Sequence, residues 1–121
     1  MSQNLIFAKD GNGGNAYAPE VSSDMSSVQI PANGNATLTL PTNSPWWCVV
    51  FSYPVGSEIF VAYNGTASGP AGNTFQSTNS ERNPAQRKVP STQSNGSPTT
   101  INVLNNGASS INLWVGLYAV T

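Results

Sequence analysis

The sequence predicts an all-β protein, a single antiparallel β-sandwich or jelly-roll-like domain with turn-rich loops over residues 1–121. Three observations predict this class. Asn, Ser, Thr, Gly and Pro make up 61 of the 121 residues, and these residues favour turns over helices. The apolar residues recur in about eight strand-like runs, whose starts often lie about ten residues apart. A chain of 121 residues also fits one domain with one core.

The first strands are predicted from short apolar runs. The run at 5–7 predicts a possible N-terminal arm over residues 1–9, which would add to the sheet of a neighbouring copy. A strand over Val28–Ile30 and another over Ala36–Leu40 follow, the second alternating with threonine. The Asn33-Gly34 pair between them is favoured in type I′ turns, so these strands are expected to form a hairpin.

The middle of the chain holds the most apolar runs. Trp46–Tyr53 and Glu58–Tyr63 are nearly continuous in apolar residues, which predicts strands buried on both faces. Cys48 is therefore expected to be a buried small hydrophobe. The following segment, 66–98, is poor in apolar residues and predicts a long loop-rich excursion.

Two further strands close the chain. Thr99–Leu104 alternates apolar and polar residues, and Asn105-Asn106-Gly107 predicts a turn after it. Ile111–Val120 gives the clearest alternation. Its odd-numbered residues are expected on one face, and Asn112, Trp114, Gly116, Tyr118 and Val120 on the other.

Composition excludes several kinds of function. Nine charged residues and a net charge of −1 exclude nucleic-acid binding by phosphate neutralisation. The chain has no histidine and one cysteine, and its five acidic residues show no paired spacing, so we expect neither enzyme activity, nor a metal, nor a cofactor. A plain loop is favoured over a weak cation site for the Gly-rich residues Asp10–Asn15. No apolar run reaches the roughly 20 residues of a membrane helix, and no secretory signal is visible.

Four of the nine charged residues fall between Glu81 and Lys88. One interpretation is a solvated loop with an internal Glu81–Arg82 or Glu81–Arg87 contact. The other is an electrostatic contact with a partner, since arginine binds carboxylates through two parallel hydrogen bonds and is enriched at interfaces.

The aromatic residues also leave two interpretations open. They could form a stacking platform for carbohydrate, or they could fill a core or a subunit interface, and the second is favoured because tryptophan and tyrosine in paired strands more often do so. The residues concerned are Tyr17, Trp46, Trp47, Tyr63, Trp114 and Tyr118.

Two stretches of the C-terminal half resemble small virion structural proteins of tailed bacteriophages. The first runs from Gly69-Pro-Ala-Gly-Asn-Thr-Phe75 through Ser77-Thr-Asn-Ser-Glu-Arg-Asn-Pro-Ala-Gln-Arg-Lys-Val89. The second is Ile111-Asn-Leu-Trp-Val-Gly-Leu-Tyr-Ala-Val120. Arg82 departs from the pattern, which has an apolar residue between Glu81 and Asn83.

The resemblance implies a capsid decoration (cement) protein. Such a protein is made in the host bacterial cytoplasm, sits on the capsid surface of the virion, and contacts the major capsid protein and copies of itself, most often as a homotrimer. The alternatives are a carbohydrate-binding module or lectin, and a tail- or fibre-associated subunit. No nucleic-acid or membrane partner is expected. The expected partner-contact residues are Leu5, Ile6, Phe7, Glu81, Arg82, Arg87 and Lys88.

Overall fold

The computed structural model describes residues 22–77 and 80–120, and within them all regular structure is β-strand. The all-β prediction is therefore confirmed. The strands are β1 (Asp24–Ile30), β2 (Asn35–Thr39), β3 (Trp46–Ser52), β4 (Ile59–Tyr63), β5 (Glu81–Arg82), β6 (Gln86–Pro90), β7 (Thr100–Asn105) and β8 (Ile111–Val120).

The strands form two antiparallel four-stranded sheets, with the order β1-β8-β3-β6 in the first and β2-β7-β4-β5 in the second. The chain crosses between the two sheets at every connection except that from β4 to β5, as in a jelly roll. The hairpin expected at Asn33-Gly34 is wrong, because β1 and β2 lie in different sheets. Asn33 does take a positive φ of 57°, and Gly34 N–H donates to the Pro31 carbonyl at 2.9 Å. The turn therefore carries the chain from one sheet to the other.

The core lies between the two sheets. The first sheet contributes Trp47 and Val49 from β3 and Leu113 and Val115 from β8, all at most 2% exposed. Facing them are inward side chains of the second sheet, including Ile59, Val61, Ile101 and Val103. The predicted alternation of β8 is thus confirmed, since Leu113, Val115 and Leu117 are buried. Burial of these side chains is the main source of folding free energy.

The prediction that the Trp46–Tyr53 run is buried on both faces is wrong. Trp47, Val49 and Phe51 point into the core, whereas Trp46 is 42% exposed and Cys48 and Val50 are half-buried. Cys48 is therefore not the fully buried hydrophobe that the sequence predicted. The run is apolar on both sides because it presents an apolar surface to the outside of the first sheet as well as to the core.

For β4 the same prediction is confirmed, because Ile59, Phe60, Val61 and Ala62 are all buried. Phe60 and Ala62 point away from the main core and form a second cluster with Ala67. Gly69 packs so closely on the Phe60 ring that a Cβ there would lie 3.0 Å from Phe60 Cε2. The start of the excursion therefore covers the outer face of the second sheet.

The excursion over 66–98 also contains two strands that the sequence did not predict. β5 pairs with β4 and β6 pairs with β3, so each is the terminal strand of its sheet. In β6 only Val89 is buried and the other four residues are exposed. An edge strand with so little apolar content gives no period-2 signal, and it forms because β3 supplies its hydrogen-bonding partner.

The side chain of Asn105 ties three parts of the fold together at one end of the sandwich. Asn105 is fully buried, and its Nδ2 donates to the carbonyls of Ile30 (3.1 Å), Pro31 (3.2 Å) and Ser109 (2.9 Å). Its Oδ1 accepts from Gly107 N–H at 3.0 Å. One side-chain amide therefore supplies hydrogen-bonding partners to backbone groups at the end of β1, in the β1–β2 turn and in the β7–β8 turn.

Candidate functional site

The outer face of the first sheet is the main candidate site, because no described segment covers it and it is rich in aromatic side chains. Its central members are set by register: Cys48 pairs with Tyr118, and Val50 with Gly116. We call this surface the aromatic face. Its apolar and aromatic members are Met25, Trp46, Cys48, Val50, Trp114, Tyr118 and Val120.

Trp114 lies beside Gly116, whose missing side chain leaves room for the indole on the aromatic face. A Cβ built at Gly116 would overlap Cη2 of Trp114 and would lie 2.8 Å from its Cζ3 and 2.9 Å from its Cζ2. The indole thus occupies the space that any other residue would fill. Ser27 and Ser52 stand opposite Trp114 on the adjacent strands.

The aromatic face carries one charged side chain near its edge. Lys88 Nζ lies 4.9 Å from the centroid of the Trp46 ring, within range of a cation–π interaction. Lys88 belongs to β6 and pairs with Cys48 in the register. The face is therefore aromatic at both ends and positive along its β6 border.

Two of the predicted contact residues, Glu81 and Arg87, form an ion pair across the edge of the sandwich next to this border. Arg87 on β6 donates from Nε to both carboxylate oxygens of Glu81 on β5, at 2.7 and 3.0 Å. The ion pair joins the two sheets, so the expected Glu81–Arg87 contact is present. The expected Glu81–Arg82 contact is not the one formed. Hydrogen bonding to Glu81 raises the pKa of the Arg87 guanidinium.

Arg82 instead binds a carboxylate at the start of β4. Its Nε lies 2.9 Å from Oε2 of Glu58. A hydrogen bond from Asn106 and then the one from Arg82 lower the pKa of the Glu58 carboxyl. Both ion pairs are exposed, with 61% of the Arg82 side chain and 46% of the Arg87 side chain accessible. Such exposed pairs contribute little to stability.

Tyr63 lies beneath the Glu81–Arg87 pair with a buried hydroxyl. No described residue accepts or donates a hydrogen bond at this hydroxyl. Burial, and then the charge of Glu81, raise the pKa of Tyr63 to about 12. The phenol is therefore neutral at physiological pH and carries the cost of an unpaired polar group.

Replacing Tyr63 with phenylalanine is expected to raise the free energy of unfolding by about 1 kcal/mol, because it removes that unpaired hydroxyl. Tyr53→Phe is the matched control. The Tyr53 hydroxyl donates to the Pro84 carbonyl at 3.1 Å, so its removal should cost about 1 kcal/mol. Urea denaturation measures the change in the free energy of unfolding, which should be positive for Tyr63→Phe and negative for Tyr53→Phe. A loss of stability in Tyr63→Phe would contradict the unpaired state.

The substitution Tyr63→Phe should also change how stability depends on pH in alkaline solution. The unfolded chain releases the Tyr63 proton near its ordinary pKa of 10.0, whereas the folded chain holds it until about 12. Ionisation of Tyr63 thus leaves the free energy of unfolding unchanged below pH 10 and lowers it as the pH rises towards 12. Tyr63→Phe should lose less stability over this interval than the parent chain.

The structure places some of the aromatic residues noted in the sequence on the surface and others in the core. Trp46, Trp114 and Tyr118 share the aromatic face, whereas Trp47 is 1% exposed and donates from Nε1 to the Pro41 carbonyl at 2.8 Å. Tyr63 points inward. The aromatic set is therefore divided between core and surface, and the arm residues 5–7, the loop 10–15 and Tyr17 lie outside the described residues.

Comparison with known proteins gives no relative for this chain: no family model, curated protein or solved structure matches it. Residues 22–77 and 80–120 contain no helix of the length and apolar character needed to cross a membrane. In the same residues no three His, Cys, Asp or Glu side chains are grouped as metal ligands would be.

Proposed function

We propose that this chain is a structural protein of a tailed bacteriophage virion, namely a capsid decoration or cement protein that binds and stabilises the major capsid lattice. It would be made in the cytoplasm of the bacterial host and act at the capsid surface, as a homo-oligomer with a trimer favoured. The aromatic face carries this proposal. A sheet surface that no described residue covers, bearing Trp46, Trp114 and Tyr118, has the residue types that dominate binding energy at protein interfaces.

The fold and the composition support the same function. Jelly rolls of two four-stranded sheets serve as capsid and lectin domains, which is an analogy at the level of the fold. A chain with nine charged residues in 121 makes its contacts mainly through apolar and backbone groups. Binding at many equivalent lattice sites by linked copies allows modest single contacts to suffice.

We place the polar contacts of the capsid interface at Glu81, Arg82, Arg87 and Lys88. These residues occupy the β5–β6 edge of the sandwich, beside the aromatic face. The ion pairs are accessible to a partner. Charges at the rim of an interface mainly steer association and fix its orientation.

The double variant Arg82→Ala and Arg87→Ala tests this placement. We expect about a tenfold loss of co-sedimentation with capsids that lack the protein, which corresponds to about 1.4 kcal/mol. The free energy of unfolding should stay close to that of the parent chain, because both ion pairs are exposed. Gln76→Ala, at an exposed polar residue elsewhere, serves as the control. A large loss of stability with unaltered capsid binding would assign these residues to the fold alone.

Carbohydrate binding is the second candidate function, and the partly exposed Trp114 indole favours it. An exposed ring face stacks on the C–H face of a sugar, and Ser27 and Ser52 beside it supply hydroxyls for hydrogen bonds. The two candidates use the same surface but differ in ligand, so one set of variants distinguishes them.

A further inference from the structure

The sandwich is open at the edge opposite the Glu81–Arg87 pair. A cleft of about 260 Å³ lies between the edges of the two sheets, with β1 on one side and β2 on the other. Its walls include core residues that are otherwise almost fully buried: Leu40 at 3%, Ile101 at 0% and Val115 at 2% exposure. The cleft thus leads directly to the hydrophobic core.

The strands that border this cleft have unpaired edges. Within the described residues, β1 pairs only with β8, and β2 pairs only with β7. Free backbone donors and acceptors therefore lie beside an apolar opening. This combination fits an added strand, whose backbone would pair with an edge while alternate side chains enter the cleft.

The size and the lining of the cleft indicate what kind of group fills it. Its volume lies below the roughly 300–1,000 Å³ of small-molecule sites and suits a few apolar side chains. The 5–7 run (Leu-Ile-Phe) is an apolar triplet outside the described residues, and Lys9 follows it closely. Asp24 is the one charged residue in the cleft lining, so Lys9 offers it a complementary charge.

We infer that this cleft binds the 5–7 segment of a second copy of the chain. The inference rests on the self-association included in the proposed function. Pairing within one chain would need a connection of 14 residues, from 10 to 23, whereas hairpin loops usually have about 2–5. Stretched out, the same residues span up to about 46 Å, which reaches a neighbouring copy. Around a closed rotation axis, head-to-tail contacts of this kind form a ring, as in a trimer.

Single-cysteine variants test which chain fills the cleft. Cys48→Ser removes the native thiol, and Phe7→Cys and Ser26→Cys are then made in separate chains, one of them labelled with ¹⁵N. After the two are mixed, reassembled and oxidised, we expect a disulfide-linked dimer of one labelled and one unlabelled chain in at least tenfold excess over the control. The control replaces Ser26→Cys by Val55→Cys, a fully exposed position away from the cleft.

Two results would overturn the inference. One is a mixed dimer no more abundant than in the Val55→Cys control. The other is a chain carrying both Phe7→Cys and Ser26→Cys that links internally and stays at the 12.6 kDa of one chain, because the cleft would then bind its own segment. The mixed disulfide without capsid binding would contradict the proposed function and leave the inference standing.

Discussion

Replacing Asn105 with alanine is expected to lower the free energy of unfolding by about 3–5 kcal/mol, the largest effect of any single substitution considered for this protein. The side chain donates to the carbonyls of Ile30, Pro31 and Ser109 and accepts from Gly107 N–H. Alanine removes all four contacts, each contributing about 0.5–1.5 kcal/mol, and leaves the buried Ile30 carbonyl without this donor. For a domain of this size the midpoint of thermal unfolding should fall by roughly 15 °C.

Asn106→Ala is the control, because it changes the same residue type one position later at an exposed site. It removes one exposed hydrogen bond, from Asn106 Nδ2 to Glu58, and should alter stability by less than about 1 kcal/mol. Asn105→Asp keeps the shape but turns a carboxylate oxygen towards the three carbonyls. It should be more destabilising at pH 7 than at pH 4, where protonation restores one donor. Thermal unfolding that is similar for Asn105→Ala and Asn106→Ala would refute the role of Asn105.

Replacing Trp46 and Trp114 together with alanine is expected to weaken binding to the phage capsid at least about 30-fold, or about 2 kcal/mol. Both residues lie on the aromatic face, Trp46 on β3 and Trp114 on β8. Tryptophan side chains at the centre of an interface contribute more to binding than other residue types do. Because Trp46 is 42% exposed and Trp114 is only half-buried, the fold should survive.

Phe75→Ala provides the matched control, since Phe75 is a fully exposed aromatic residue outside the aromatic face. Its capsid binding should equal that of the parent chain. The same proteins applied to a glycan array separate the two candidate functions. Specific sugar binding that Trp114→Ala abolishes, together with unchanged capsid binding, would assign the face to carbohydrate.

The strands with clear alternation could be predicted from the sequence. β2 and β7 present mainly apolar side chains to the core and mainly polar ones outward, and in β8 the alternate residues Leu113, Val115 and Leu117 are buried, so periodicity and burial coincide. β5 and β6 could not be predicted in this way. They are edge strands that carry charged residues, and their pairing depends on β4 and β3, which are distant in sequence.

The candidate site was harder to predict than the fold for a specific reason. A continuous apolar run such as Trp46–Ser52 predicts burial on both faces, but only the three-dimensional arrangement shows which outer face is covered. The excursion packs on the second sheet at Phe60 and Ala62, whereas no described segment packs on the first. Likewise, the spacing of Glu81, Arg82 and Arg87 could not indicate that Arg82 pairs with Glu58.

Cryo-electron microscopy of a purified phage particle tests most directly whether this protein is a capsid decoration protein. We predict jelly-roll density on the outer capsid surface at symmetry axes, with the aromatic face or the β5–β6 edge against the major capsid protein. Particles assembled with the Trp46→Ala and Trp114→Ala chain should lack that density. Density that persists in those particles, or a protein found nowhere on the capsid, would contradict the account.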